Sequence, residues 1–257
     1  MTDRLKGRVA VITGAARGFG LETARLFAAE GAAVALWDVN SDDAEREAAA
    51  IREQGMNAAA FAVDVGDSSS VDAAAAATRD ALGAITVLVN NAGVVHIAEP
   101  WDVTDEDWEW HMRINAAGPF YCIRACLPDM REEGYGKIVN IGSIAAMQGR
   151  ATTNPAYAAS KGAVLGLTAT LSRSIGKLGI SVNAINPGLI RTEIHEQFSE
   201  EQMEALTADI PLQSSHRSNE RGGRPSDIAN AALFLASAES DYINGDYLNV
   251  NGGARVS

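Results

Sequence analysis

Two side chains with acid–base chemistry, Tyr157 and Lys161, stand four residues apart in a segment with helical periodicity. Residues at this spacing share one face of a helix, so the ammonium would lie near the phenol. A nearby positive charge stabilises the phenolate and lowers the tyrosine pKa from its usual value of about 10, which makes Tyr157 a candidate general acid or base. The spacing also arises by chance on surface helices. Ser143 strengthens the assignment, because it places a hydroxyl just after an apolar strand pattern.

A glycine-rich turn follows the first apolar run of the chain, with the sequence Thr13-Gly14-Ala15-Ala16-Arg17-Gly18-Phe19-Gly20. Glycines let the backbone turn sharply and approach a pyrophosphate at the start of the next helix. Asp38 ends the second apolar run, about 20 residues later, where a carboxylate can bind the hydroxyls of an adenosine ribose. Taken singly, the turn could lack a ligand and Asp38 could cap a helix. Together they favour a dinucleotide site.

The elements that must position these residues are short β-branched runs alternating with alanine-rich helical patterns. We predict strands at Val9–Thr13, Ala33–Trp37, Ala58–Val63, Val87–Asn90, Lys137–Ile141, Ser181–Ile185 and Tyr247–Val250. We predict helices at about Phe19–Glu30, Asp42–Gln54, Ser69–Leu82, Asp105–Met130, Pro155–Lys177 and Ser226–Ala236. Apolar strands separated by helices are typical of a parallel sheet covered on both faces. The expected fold is therefore α/β: a Rossmann-type, doubly wound, seven-stranded parallel sheet in one domain over residues 1–257.

The segment from Asn186 to Pro225 is long and irregular in pattern. Such a segment in a compact domain is usually functional, so we expect a substrate lid at about residues 188–225. Its first part carries many acids: Glu193, Glu196, Glu200, Glu201, Glu204 and Asp209. These acids would repel a multiply anionic thioester and favour a neutral alcohol or ketone. Alternatively, they lie on the solvated outer face and are unrelated to the substrate.

Composition and charge exclude several classes of partner. The chain has 33 Asp and Glu against 21 Lys and Arg, a net charge of -12, so it lacks the basic footprint of a nucleic-acid-binding protein. Apolar runs such as Ile85–Val89 are too short for a membrane span. Cys122 and Cys126 are too few for a disulfide framework and read as core residues, and the histidines show no metal-ligand spacing. We expect a cytoplasmic protein without a metal.

In their order along the chain, these motifs resemble the short-chain dehydrogenases/reductases in their compact single-domain form. The resemblance covers essentially the whole chain. It rests on Thr13-Gly14-x-x-x-Gly18-x-Gly20, Asn90-Asn91-Ala92-Gly93, Asn115, Ser143, Tyr157-x-x-x-Lys161, and Pro187-Gly188 with Thr192. The resemblance implies that Tyr157 exchanges a proton with the substrate oxygen while Ser143 holds that oxygen. It also implies that Lys161 binds the nicotinamide ribose and lowers the Tyr157 pKa, and that Asn115 fixes a water in a proton relay.

The resemblance further implies a cofactor site. Asp64 and Val65 would flank the adenine, and Ile190 and Thr192 would bracket the nicotinamide carboxamide. The full set is Gly14, Arg17, Gly18, Phe19, Gly20, Asp38, Val39, Asp64, Val65, Asn91, Ala92, Gly93, Tyr157, Lys161, Pro187, Gly188, Ile190 and Thr192. Because no positive charge follows Asp38, we expect NAD rather than NADP. Arg17 either favours a cofactor phosphate or is a solvated residue at a helix start.

The expected function is an NAD-dependent oxidoreductase that interconverts a secondary alcohol and a ketone, and the resemblance implies a homotetramer. Three alternatives remain: a 3-oxoacyl thioester reductase of fatty-acid type, a non-catalytic NAD-binding sensor, and an epimerase or dehydratase on a related fold. Asn244 and Asn251 depart from the family pattern near the C-terminus, where they bear on subunit contacts rather than on chemistry.

Overall fold

A computed structural model describes residues 3–148, 153–192, 199–208, 210–212 and 222–255. Within these ranges seven parallel strands form one sheet in the order β3-β2-β1-β4-β5-β6-β7. The strands are β1 Val9–Thr13, β2 Ala33–Asp38, β3 Ala58–Ala62, β4 Val87–Asn90, β5 Gly136–Ile141, β6 Ile180–Pro187 and β7 Tyr247–Val250. The strand order reverses between β1 and β4. This opens a crevice at their carboxyl ends, where ligands of doubly wound sheets bind.

The described helices connect the strands and cover both faces of the sheet. They are α1 Gly18–Ala29, α2 Ser41–Glu53, α3 Ser68–Leu82, α4 Asp105–His111, α5 Gly118–Glu133, α6 Pro155–Ile175, α7 Glu200–Thr207 and α8 Pro225–Ala236. Side chains of α1, α2 and α8 pack into one core, whereas those of α3, α5 and the end of α6 pack into the other. Alternation along the strands feeds both cores: Ile12 belongs to the first and Val11 to the second. The predicted α/β fold class is confirmed.

The predicted continuous helix over Asp105–Met130 is wrong. Helix α4 ends at His111, a π-helical turn spans Met112–Ala117, and α5 then runs from Gly118 to Glu133. Pro119 supplies the physical reason, because it has no N–H to bond the carbonyl of Asn115 four residues earlier. One α-helical hydrogen bond is therefore missing at this point, which favours a change of register. Such π-turns occur frequently at functional sites.

The region predicted as a lid contains a helix that the sequence pattern did not indicate. In α7, Met203 and Thr207 are buried, while Glu201 and Glu204 are exposed. The exposure of these two acids is what the alternative interpretation expects of acids on a solvated outer face. Ile190 pairs with Gly223 in an isolated bridge that ties the two ends of the region together. Residues 193–198, 209 and 213–221 of the predicted lid lie outside the described residues.

Cys122 and Cys126 are free thiols buried in the second core, and burial raises the pKa of Cys122 to about 12. The described helices include none that is long and apolar enough to cross a membrane. Across the described ranges, no three His, Cys, Asp or Glu side chains come together as a possible metal site.

Candidate active site

The glycine-rich turn is held against the end of β4 by a set of short hydrogen bonds. Thr13 Oγ1 accepts the backbone N–H groups of Asn91 and Ala92 at 3.0 and 2.9 Å. Asn91 Nδ2 in turn donates to the carbonyls of Thr13 and Gly14 at 2.9 and 3.0 Å. Gly14 has φ +64°, and a Cβ there would lie 2.9 Å from the Ala92 Cα. Only glycine fits this position, so the turn and the Asn91-Ala92-Gly93 segment form one rigid cradle.

Asp38, at the end of β2, binds the glycine-rich turn that follows β1. Its Oδ2 accepts the backbone N–H of Ala16 at 2.9 Å, and its Oδ1 accepts that of Asn40 at 2.9 Å. The carboxylate is thereby fixed at the edge of the cradle. Val39 beside it is 77% exposed. Because valine is uncharged, this position cannot neutralise a phosphate.

A cavity of about 560 Å³ opens at the carboxyl ends of these strands. It is lined by twelve of the residues predicted to bind a cofactor: Gly14, Arg17, Gly18, Phe19, Asp38, Val39, Asp64, Val65, Asn91, Ala92, Gly93 and Thr192. The lining also includes Val63, Val94, Trp110, Arg113 and Ile114, which sequence reasoning had not assigned to a cofactor site. Trp110 lies on α4, and Arg113 and Ile114 lie on the π-helical turn.

Arg113 is the most informative of these missed residues. Its Nη1 donates to Asp64 Oδ2 at 2.9 Å, while Asp64 Oδ1 accepts the Gly66 backbone N–H at 2.8 Å. Both oxygens of Asp64 are therefore engaged at the β3 end of the cavity. The ion pair spans 49 residues of sequence, so no local motif could have revealed it.

The predicted cofactor residues absent from the cavity lining have structural contacts. A Cβ on Gly20 would overlap the Gly14 carbonyl oxygen, so Gly20 lets helix α1 pack on the turn. Gly188 donates its N–H to the Val250 carbonyl at 3.0 Å, and it follows Pro187, which ends β6. The side chain of Ile190 belongs to the first core and is 3% exposed. Tyr157 and Lys161 also lie outside this lining, on helix α6.

Ser143 is placed by the loop after β5. A Cβ on the preceding Gly142 would overlap Asn186 Oδ1, so a glycine is required for the two strand ends to approach. Ser143 Oγ accepts the backbone N–H of Ala145 at 3.1 Å and caps a short 3₁₀ turn. The Ser143 hydroxyl also lies close enough to the Tyr157 phenol to oppose part of the rise in the pKa of that phenol. The structure thus brings together the two residues predicted to contact the substrate oxygen.

The Tyr157 pKa is raised in this structure, contrary to the predicted direction. Burial raises it, and the interaction with the Ser143 side chain opposes part of that effect. Lys161, which was expected to lower the Tyr157 pKa, is itself buried, and burial lowers its own pKa to about 8. Its Nζ donates to the Ile141 carbonyl at 2.8 Å. Desolvation therefore outweighs the attraction that the four-residue spacing suggested.

Asn115 lies in the π-helical turn with its side chain fully buried. Its Oδ1 accepts the Val94 N–H at 2.7 Å, and its Nδ2 donates to the Val94 carbonyl at 2.9 Å and to Ser160 Oγ at 3.1 Å. A Cβ placed on Gly93 would lie 3.2 Å from Asn115 Oδ1 and 3.4 Å from Lys161 Nζ. Asn115 and Lys161 therefore flank the same glycine, next to the cradle.

The departures at the C-terminus make contacts within the chain. Asn244 accepts the Val182 N–H and donates to the Ser172 carbonyl, both at 2.9 Å. Asn251 donates to the Arg255 carbonyl at 3.0 Å. Both asparagines thus stabilise the end of the sheet locally.

The arrangement combines a glycine cradle, a fixed carboxylate at its edge, and a phenol that lies near a hydroxyl and a buried ammonium. The cradle can accept a phosphate-bearing ligand, and the phenol can exchange a proton with an oxygen held by the hydroxyl. These are the parts needed for proton-coupled chemistry on a carbonyl or alcohol.

Comparisons with known proteins agree with this geometry. A family model described as enoyl-(acyl carrier protein) reductase matches residues 14–255. The chain is 38% identical to an uncharacterized short-chain type dehydrogenase/reductase of Sinorhizobium fredii, over 98% of this chain and 99% of that protein. It is 36% identical to the 3-oxoacyl-(acyl-carrier-protein) reductase FabG of Vibrio harveyi, over 97% and 98%. The structure of a gluconate 5-dehydrogenase from Burkholderia cenocepacia, in complex with NADP and tartrate, matches with a TM-score of 0.89 and 37% identity, covering 98% of this chain and 96% of that chain.

Proposed function

Because the chain belongs to the short-chain dehydrogenase/reductase family, and is thus an oxidoreductase, we propose that it interconverts a secondary alcohol and a ketone with NAD(H). The observation that carries the proposal is the meeting of Tyr157, Ser143 and Lys161 beside a glycine cradle, since each side chain has a separate task in moving one proton. An NAD-binding sensor would need the cradle but not the phenol and the hydroxyl.

The residues around the cavity fit a nicotinamide dinucleotide. Gly14 and Gly18 would let the backbone approach the pyrophosphate, Asp38 would bind the adenosine ribose, and Asp64 and Val65 would flank the adenine. When bound, the cofactor supplies or accepts the hydride. Thr192 lines the same cavity and would contact the carboxamide end, whereas the buried side chain of Ile190 would support the backbone there.

In the reducing direction, Tyr157 would donate its phenolic proton to the carbonyl oxygen while Ser143 donates a hydrogen bond to that oxygen. Lys161 would bind the nicotinamide ribose and stabilise the resulting phenolate with its ammonium. In the oxidising direction, the phenolate would accept the proton of the alcohol. Burial raises the pKa of Tyr157, so the protonated phenol is abundant near neutral pH and favours reduction there.

Asn115 would hold a water that returns a proton towards Lys161. The side-chain amide of Asn115 is already engaged with Val94 and Ser160. We therefore propose that its main-chain carbonyl accepts a hydrogen bond from the water. Pro119 occupies the position whose N–H would bond this carbonyl in an α-helix. Without that N–H, the carbonyl can accept a hydrogen bond from the water, which supports the proposal.

We infer a preference for NAD over NADP from Asp38. A carboxylate about 4 Å from a phosphate charge costs on the order of 1–4 kcal/mol at dielectric constants typical of a protein surface. Both carboxylate oxygens are held by backbone N–H groups, which keeps the side chain from turning away. Arg17 lines the cavity and would contact a cofactor phosphate.

For the substrate we propose a neutral, mostly apolar secondary alcohol or ketone. The segment that follows Val94 of the cavity lining carries Val95 and Ile97, which are 46% and 65% exposed and present apolar surface. A 3-oxoacyl thioester reductase is the second candidate, favoured by the FabG relative. Comparing kcat/KM for neutral cyclic or aryl ketones with that for a 3-oxoacyl thioester decides between the two candidates. A higher kcat/KM for the thioester would show that our substrate assignment is wrong and favour the thioester reductase.

Tyr157→Phe tests the chemistry itself. The variant removes only the transferable proton, so we expect kcat to fall by at least about 10²-fold while NADH binding survives. The assay follows absorbance of the reduced cofactor, with NADH affinity measured by fluorescence titration. Near-normal turnover by the variant would show that the assigned mechanism is wrong. A wild-type protein that binds NADH but turns over no alcohol or ketone would favour the sensor.

Four further properties complete the proposal: the domain, the lid, the assembly and the compartment. We propose one NAD-binding domain over residues 1–257, with a lid over the nicotinamide end at about residues 188–225, and assembly as a homotetramer. The described part of that lid includes α7, which packs Met203 and Thr207 inward. We also propose a reducing compartment, the cytoplasm, because Cys122 and Cys126 are free thiols.

A further inference from the structure

Val94 lines the cavity, and residues 94–97, which we call the wall segment, lead away from it. Hydrogen bonds from side chains hold the backbone of this segment. Asn115 bonds both the N–H and the carbonyl of Val94. Two residues later, the N–H of His96 donates to His111 Nε2 at 3.2 Å, and the carbonyl of His96 accepts from Asn154 Nδ2 at 3.0 Å. The backbone groups of Val94 and His96 are therefore bonded by side chains, while the side chains of Val95, His96 and Ile97 are exposed.

His111 is a fully buried imidazole at the end of α4. Because its Nε2 accepts a hydrogen bond, the proton of the neutral ring must be on Nδ1, which lies 2.8 Å from the Asp107 carbonyl oxygen. The ring also meets Tyr157 edge to face, with 6.3 Å between ring centroids. One side chain thus contacts both the wall segment and the proposed proton donor.

Asp107 and Asn154 complete the arrangement. Asp107 Oδ2 accepts from Asn154 Nδ2 at 2.9 Å, and its Oδ1 lies 3.2 Å from His96 Nδ1. Asn154 is buried, and its Oδ1 accepts the Ala156 N–H at 2.9 Å, which caps the N-terminus of α6. Tyr157 is the third residue of that helix. The carboxylate therefore connects the wall segment to the helix that carries the phenol.

We propose that His111, Asp107 and Asn154, together called the His96 clamp, are positioning residues that fix residues 94–97 relative to Tyr157 and so determine substrate affinity. The proposal rests on the proposed function, since it assumes that substrate lies between this wall and the phenol. Each clamp residue bonds groups from two different elements, so removing one would loosen the wall without removing a group that reacts. The loss would appear in KM rather than in kcat.

The first test needs neither a variant nor a substrate. Amide hydrogen exchange of the wild-type protein, resolved by residue, reports directly on the bond from the His96 N–H to His111 Nε2. We expect the His96 amide to exchange at least about 10-fold more slowly than an unprotected amide. Exchange at the unprotected rate would overturn the proposal. Because this experiment is independent of turnover, it separates a failure of the clamp from a failure of the proposed function.

The second test compares His111→Phe with His111→Gln. Phenylalanine keeps the ring contact with Tyr157 but has no acceptor, whereas the glutamine side-chain oxygen can accept the His96 N–H in place of Nε2. We expect His111→Phe to raise the ketone KM about 10-fold with kcat and NADH affinity within about 3-fold of wild type, and His111→Gln to restore most of the loss. Glu109→Gln, an exposed change on the same helix, serves as the control.

A KM unchanged in His111→Phe, or one equally raised in His111→Gln, would contradict the clamp. Loss of NADH binding would show that His111→Phe does not fold. In that case the exchange rate of the wild-type His96 amide and the KM of His111→Gln still test the clamp. A wild-type-like KM in the glutamine variant would then support the acceptor role, and a KM raised about 10-fold in a variant that binds NADH would oppose it.

Discussion

Lys161 carries its ammonium into surroundings that disfavour a charge. The side chain is 5% exposed, and burial lowers its pKa from 10.5 to about 8. Between these two pH values, the unfolded chain binds more protons at this site than the folded chain does. The contribution of Lys161 to the free energy of unfolding therefore rises with pH through this window, and below pH 8 the protein bears the full cost of the buried charge.

Lys161→Met isolates this effect, because methionine fills similar space without titrating. We expect the unfolding free energy of the wild type, relative to that of the variant, to increase by about 3 kcal/mol between pH 8 and pH 10.5. Urea unfolding of both proteins at several pH values measures the difference and cancels groups common to both, including the buried thiols. A difference that stays constant across the window would show that the lysine is not desolvated as described.

Asp38 is the residue that decides the cofactor in our proposal. We expect the wild type to have a higher kcat/KM with NAD+ than with NADP+, and Asp38→Asn to shift that ratio towards NADP+ by at least about 10-fold, because a charge is removed without a change in shape. Asp42→Asn is the matched control, since this exposed acid nearby is not part of the cavity lining. A wild-type preference for NADP+ would contradict the assignment and give Arg17 the dominant role.

In our proposal, the π-helical turn at Met112–Ala117 leaves the backbone carbonyl of Asn115 available to a water. We expect Pro119→Ala to let the chain continue in α-helical register, so that the Asn115 carbonyl gains an N–H partner and no longer holds a water. The predicted result is a fall in kcat of about 10-fold, with melting temperature and NADH affinity near those of the wild type.

Pro128→Ala provides the control for this experiment. Pro128 is an exposed proline inside the same helix, α5, and none of its described contacts involves Asn115. Its substitution should leave kcat unchanged. Equal kcat values for Pro119→Ala and the wild type would remove the carbonyl of Asn115 from the proposed relay.

Comparison of the elements with their sequence patterns shows which features are local. The predicted strands agree with the structure within a few residues, because runs such as Val9–Thr13 are mostly apolar and are buried on both faces. The break before Gly118 was missed because the periodicity continues through it. Only the missing N–H of Pro119 could have revealed it. The bonds of His111 to His96 and of Arg113 to Asp64 join separate elements, so no spacing in the sequence indicates them.

The two longest helices of the described chain, α6 and α5, carry different kinds of residues on their exposed faces. On α6, Gly162 and Gly166 have open space where a Cβ would point, so another helix can approach closely. On α5, Phe120 is 43% exposed and Arg124 lies 5.8 Å from its ring centroid. Small residues on one helix and an aromatic on the other are well suited to packing between subunits.

We therefore expect a homotetramer in solution, and we expect α6 to form part of its contacts. Sedimentation at micromolar concentration should show a species about four times the 27.0 kDa of one chain. Gly166→Arg should reduce its size, because a long charged side chain would occupy the space that a neighbouring helix needs. Ala73→Arg, the same change in charge on the exposed face of α3, should leave the tetramer intact. A wild-type protein that sediments only as a single chain would refute the assembly, and a tetramer unaffected by Gly166→Arg would move the interface away from α6.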